Sequence, residues 1–326
     1  MTPYAELVAA SNFSFLRGAS PAADLVLTAL LLGQNGLGIA DRNTVAGVVR
    51  AWSALRTLRE DGLPPPEKIR SGGAPGEHVW IDNPRFAALP FTADDLKARA
   101  AAFRLATGSR LVFADGAPEI AAYPQDRAGW GRLCRLLTLG NRRAKKGDCI
   151  LSLDDLLADT RGLLLVVLSE RPHDGLAAAA ARIAEAAPGA VWIGAAMHGR
   201  GDDQRNLARL AAIAARTRTP LLAVNDALYD APEQRDLQDV LTCIRERTTI
   251  DRAGRLLAAN AERHLKSPAE MARLFRAAPE AIAETQHLLG RIDFDLGQLR
   301  YEYPDEPVPP GWEAQAWLEE LVHRRA

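Results

Sequence analysis

The stretch that decides the fold lies past the middle of the chain. It reads LLLVVL at residues 163–168, LAAAAARIAEAA at 176–187, VWIGA at 191–195, NLARLAAIAAR at 206–216 and PLLAV at 220–224. Short apolar strands alternate here with helical segments, the signature of parallel βα units. The same rhythm holds upstream. Ser20-Pro21 reads as an N-cap and first helical residue, opening a helix through Leu25 and Leu32 that Gly33 and Gly36 stop. Residues 37–40 are a short buried strand ended by Asp41, and Val45, Val48, Val49, Trp52 and Leu55 recur at helical spacing. Residues 110–113 and 119–123 predict a hairpin around Asp115-Gly116, with a helix over 129–139. The number of strands suits a closed barrel better than an open sheet.

Two stretches break the pattern. Residues 63–87 hold Pro64-Pro65-Pro66, Gly72-Gly73, Pro75-Gly76 and Pro84, and read as an exposed insertion or loop. Residues 301–312 are rich in Pro, Glu and Asp and read as a linker. A short helix with Trp317, Leu318 and Leu321 follows. An apolar face with nothing after it implies a piece of a longer chain.

Composition narrows the function classes. The 326 residues give room for one large α/β domain or two small ones. Forty Lys and Arg stand against 41 Asp and Glu, so any nucleic-acid surface must be local. Cys134, Cys149 and Cys243 are far apart and form no CxxC pair, which argues against a zinc knuckle or a disulfide framework. Nothing after Met1 resembles a signal peptide, and residues 25–32 are too short to span a bilayer. A soluble, cytoplasmic protein is expected.

In parallel α/β folds chemistry gathers at the C-terminal ends of strands. Asp41 and Asp226 stand there, and a hard metal would need further donors beside them. None of the six histidines forms an HxH or HxxxH pair. His198 is the one plausibly at the same face. The bland reading is an N-cap or turn residue for each Asp and a surface loop for His198. Arg142, Arg143, Lys145 and Lys146, between Gly140 and Gly147, form a basic loop after a helix and are candidate contacts to phosphates, against the bland reading of a solvated charged surface. Walker A, GxGxxG and GxSxG motifs are absent.

Several blocks resemble a known family. YAEL at 4–7, SNFSFLRGAS at 11–20, GIADRNTVAGVVR at 38–50 and YPQDRAGWGRLCRLLT at 123–138 are similar to the error-prone branch of bacterial replicative polymerase alpha subunits. So are LLAVND at 221–226, DVLTCIRE at 239–246, NAERHLK at 260–266 and LRYEYP at 299–304. The blocks are collinear and cover nearly the whole chain except residues 63–106, a family-divergent insertion or loop. The resemblance implies a PHP-type distorted (β/α)7 barrel over residues 1–290, followed over 291–326 by a linker and a short C-terminal helix that begins the polymerase palm. It implies a parent that copies damaged DNA, uses magnesium, packs its palm and thumb against this domain in cis, and meets other mutagenesis or replisome proteins, with no membrane partner.

Departures from the family pattern fall on its metal ligands. The positions of the opening HxH pair carry Val8 and Ala10. The Asp-His pair is Asp41-Arg42, a carboxylate ligand aligns at or near Arg110, and the late Asp-x-His keeps Asp226 but has Leu228. A guanidinium at Arg42 opposes cation binding and is expected to pair with Asp41 or Asp226. The expectation is a domain with no metal or other cofactor and no catalytic residue of its own. Two alternatives stand beside it: a phosphoesterase with a rebuilt site from Asp41, His198 and Asp226, and a regulatory module whose Arg42 and Arg110 hold a phosphate or nucleotide.

Overall fold

The computed structural model describes residues 2–62, 68–71, 79–82, 92–169, 174–300 and 307–325. Nine strands are present among them: β1 (Ala5–Ala9), β2 (Gly36–Arg42), β3 (Lys68–Ser71), β4 (Val79–Asp82), β5 (Arg104–Leu111), β6 (Glu119–Pro124), β7 (Leu163–Leu168), β8 (Val191–Ala196) and β9 (Leu221–Val224). Seven form one sheet in the order β1-β2-β5-β6-β7-β8-β9. All neighbours are parallel except β6, which runs antiparallel to β5 and β7. The Asp115-Gly116 hairpin accounts for that reversal. The sheet nearly closes on itself through a bridge just past β9, where Ala10 N–H donates to the Ala227 carbonyl at 2.9 Å and Ala227 N–H donates to that of Val8 at 3.0 Å. The expected seven-stranded α/β barrel is borne out.

Period-two alternation explains the layers. In β7, Leu163, Leu165 and Val167 pack beneath the outer helices, whereas Leu164, Val166 and Leu168 join a separate inner cluster. In β8 Trp192 points to that inner cluster and Ile193 away from it, and β9 repeats the pattern with Leu222 and Ala223. Interior space is tight: a Cβ on Gly108 of β5 would meet the Tyr123 ring at 2.5 Å.

Twelve helices are described: α1 (Ala22–Leu31), α2 (Ala46–Glu60), α3 (Ala93–Ala102), α4 (Arg127–Arg142), α5 (Leu153–Leu157), α6 (Asp174–Ala186), α7 (Asp203–Thr217), α8 (Arg235–Glu246), α9 (Ile250–Ala253), α10 (Pro268–Leu274), α11 (Pro279–Gly290) and α12 (Ala314–Arg325). Helices α1 and α2 pack on β2, with α2 reaching β5 and α3 lying against α2; α4 covers β6, α6 covers β8, α7 covers β8 and β9, and α11 lies over the β9–β1 seam. None among the described residues is long and apolar enough to cross a membrane.

The structure corrects three local readings. Ser20 does not cap α1; its hydroxyl donates to Asp230 at 2.6 Å, and Pro21 occupies the cap without a side-chain bond. Within 63–87 the described residues are not loop but the antiparallel β3–β4 pair, and the rest of that segment lies outside the described residues. Gly140 does not end α4, which continues through Arg142 and caps at Arg143.

The chain divides into two compact units, Met1–Leu296 and Gly297–Ala326. In the second, Trp312 and Trp317 meet edge to face at 5.4 Å, and Arg324 lies over the Trp317 ring at 5.5 Å. Leu318 and Val322 of α12 are exposed.

Candidate functional site

The carboxyl ends of β2, β5 and β9 meet at one mouth of the barrel. Register places Asp41 beside Ser109 and Arg42 beside Arg110. Because β6 runs the other way, its first residue, Glu119, arrives at the same end. A cleft of about 1030 Å³ opens there.

Asp41 is fully buried. Its carboxylate accepts from Ser11 N–H at 2.7 Å, the Ser11 hydroxyl at 2.8 Å and the Ser14 hydroxyl at 2.7 Å. Ser14 Oγ in turn accepts from Arg42 N–H at 3.0 Å. Burial raises the Asp41 pKa, and the Ser14 and Ser11 bonds oppose that rise. Gly47, at the start of α2, has no side chain because a Cβ there would overlap the Asp41 carboxylate.

Asp226 sits just past β9 with φ 50°, a left-handed conformation that Asp tolerates better than most residues. Its side chain is 12% exposed and lies between two guanidiniums. Arg110 pairs with one carboxylate oxygen, and Arg263 Nη2 reaches the other at 2.5 Å. Arg263 Nε also donates to the Asp226 carbonyl at 3.0 Å. Burial pushes the carboxyl up, but Arg110 and Arg263 outweigh it and hold the group well below the usual carboxylate range.

Glu119 is shared by Arg42 at 3.3 Å and Arg110 at 3.4 Å. Arg42 therefore pairs with Glu119 rather than with Asp41 or Asp226, correcting the sequence expectation: serines hold Asp41, and two other arginines hold Asp226. The salt-bridged mouth is present with different partners.

His198 is not a surface-loop residue. It is 6% exposed, its Nε2 lies 2.8 Å from the Asn225 carbonyl, and burial together with Arg263 lowers its pKa. Val8, Ala10 and Leu228 are buried, Val8 in the inner cluster and the other two with Ala19 and Tyr229. Arg142, Arg143, Lys145 and Lys146 are not among the residues lining the cleft; all four are exposed, and Arg143 grips Asp155 through bonds of 2.6 and 3.0 Å.

Sequence reasoning missed Glu6, Arg17, Glu119 and Arg263. Glu6 is buried in β1, where its carboxylate accepts from Tyr4 OH at 2.7 Å, Val8 N–H at 2.8 Å and Asn225 N–H at 2.7 Å. Burial lifts its pKa to about 7 against those three bonds. A lone acid inside the apolar run AELVA was the available signal. Among the described residues, no group of three or more His, Cys, Asp and Glu side chains is placed to hold a metal ion.

No protein-family model matches the chain. A crystal structure of a candidate metal-dependent phosphoesterase from Bifidobacterium adolescentis aligns with a TM-score of 0.42 and 15% identity, over 69% of this chain and 88% of that one. Sequence relatives are far nearer. The chain is 49% identical over 321 residues to the error-prone DNA polymerase of Rhodopseudomonas palustris (strain BisB5), covering 98% of this chain and 25% of that protein. It is 47% identical over 327 residues to that of Bradyrhizobium diazoefficiens, covering 98% and 25%, and 46% identical over 324 residues to that of Brucella suis, covering 99% and 26%. The chain thus spans about a quarter of the length of the curated relatives it matches. Along almost its whole length the chain is similar to a quarter-length segment of error-prone DNA polymerases.

Proposed function

We propose that this chain is the PHP domain of an error-prone DNA polymerase, a barrel that binds no catalytic metal, hydrolyses no phosphate ester and supports the polymerase module in cis. The observation that carries this reading is Asp226 held between Arg110 and Arg263. A divalent cation needs several oxygen or nitrogen donors around an open position. Here the carboxylate best placed at the mouth is neutralised by two fixed cations, and the other, Asp41, is filled by serine donors. Val8, Ala10 and Leu228 supply no donor at the remaining family positions. These residues do not fit a metal cluster. The rebuilt site from Asp41, His198 and Asp226 finds no support, since His198 Nε2 is engaged by a backbone carbonyl and Asp226 by arginines.

On this reading DNA, magnesium and other replication or mutagenesis proteins are met through the parent polymerase, and the exposed cations Arg142, Lys145 and Lys146 reach phosphates there. The test is hydrolysis of a phosphate monoester and of 3′-labelled single-stranded DNA by the purified chain with manganese or zinc. No turnover above a metal-only blank is expected. Turnover abolished by Asp41→Ala would overturn the reading.

A further inference from the structure

The cleft at the barrel mouth carries more positive than negative charge. Among the described residues seven arginines and four carboxylates line it. Two of those carboxylates, Glu119 and Asp226, are already held by Arg42, Arg110 and Arg263.

Among the described residues, and apart from the exposed Arg255, the unpaired cation of this lining is Arg17. It is half-buried on the loop between β1 and α1, and its guanidinium has no hydrogen bond or ion pair among the described residues. Its principal charged neighbours are Arg42, Arg245 and Arg110, opposed by Glu119, which two other arginines already share. Burial and those like charges draw its pKa down to about 10, so it stays cationic at neutral pH. The loop offers it no easy escape. Leu16, immediately before it, is fixed at φ 57°, and its carbonyl accepts from Arg245 Nη1 at 2.7 Å. Arg110 adds a buried Nε with no partner. Clustered like charges, a strained non-glycine residue and an unmet donor on one wall are each unfavourable alone. An anion in the cleft relieves the charge terms together.

We propose that the cleft binds a phosphate group directly through Arg17, with Arg42 and Arg245 beside it and without a metal ion. The planar guanidinium fork matches phosphate oxygens, and a charge-assisted bond there is about twice as strong as a neutral one. A volume of about 1030 Å³ admits either inorganic phosphate or the phosphates of a nucleotide. The proposal rests on the metal-free reading above, and the experiment separates the two.

Calorimetric titration of the chain with inorganic phosphate, and separately with thymidine triphosphate, is done first in EDTA and then with zinc or manganese in its place. Binding of at least one probe in EDTA is expected, weakened about tenfold or more by Arg17→Gln. Arg216→Gln, on the exposed face of α7, leaves it unchanged, and thermal unfolding checks that each variant is folded. Saturation by the triphosphate alone identifies a nucleotide; comparable affinity for both probes identifies free phosphate. Absence of binding in either condition overturns the anion site and leaves the metal-free reading standing. Binding only with added metal overturns both. Equal affinity in Arg17→Gln overturns the assignment to this residue.

Discussion

Arg110 at the end of β5 and Asp226 just past β9 are joined by an ion pair across the mouth of the barrel, with β2 and β1 lying between their strands. Arg263 closes on the same carboxylate from the segment after α9. Side chains from three distant parts of the chain thus meet in one nearly buried charge cluster. Removing one member of such a cluster is far worse than exchanging the whole for apolar groups, because the remaining charges stay buried and unmatched.

Replacing Asp226 with Ala should therefore destabilise the barrel by about 3–5 kcal/mol in urea unfolding at pH 7. The depressed pKa of this carboxyl gives a stabilisation present above the ordinary aspartate range and lost as pH falls through it. The variant should lack that part of the acid-side loss. A change in unfolding free energy near zero would mean that the cluster contributes nothing.

Glu6 works in the opposite direction. Its folded pKa of about 7 lies above its ordinary value of 4.5, so the fold favours the protonated form and loses stability as pH rises between those values. The full effect is on the order of 3 kcal/mol. Glu6→Gln sacrifices part of the hydrogen bonding at every pH but removes the titration. Comparing urea unfolding at pH 5, 6.5 and 8, wild type should lose ground steadily against the variant. A pH-independent difference would show that Glu6 does not titrate in this window.

How far the sequence could be read follows from the same residues. β7, β8 and β9 were legible because uninterrupted apolar runs are what strands buried on both faces require. β1 was not, because Glu6 interrupts its run, and the buried Tyr4, Val8 and Asn225 donors that accommodate it come together only in the fold. Asp41 and Asp226 could be placed at strand ends by position alone. Their partners could not: Ser14 reaches Asp41 from the loop after β1, Arg263 is 37 residues beyond Asp226, and Glu119 enters the mouth only because β6 is reversed. Strand order and direction decide such meetings, and periodicity carries neither.

The serine cradle under Asp41 should be sensitive to single atoms. Ser14→Ala removes a donor from a buried carboxylate and the acceptor of Arg42 N–H, and should lower stability by roughly 1–3 kcal/mol. Gly47→Ala drives a methyl group into the same carboxylate and should be at least as damaging. Chemical denaturation of the two variants checks both, and a neutral Gly47→Ala would mean that α2 can shift away from β2.

By contrast, Arg143→Ala should leave the unfolding midpoint unchanged within error. Its pairing with Asp155 is bidentate, but the guanidinium is exposed and solvent screens it. A clear drop would show that the loop after α4 is tied to the barrel more firmly than its exposure implies.

Whether the arginines and apolar residues at the barrel mouth leave no place for a metal cluster is decided by elemental mass spectrometry. The chain is purified without chelator, dialysed against zinc, manganese or iron, and then against buffer alone. Well under one equivalent of each metal is expected, unchanged by Asp41→Ala or Asp226→Ala. One or more equivalents retained by wild type and lost in either variant would contradict the metal-free reading.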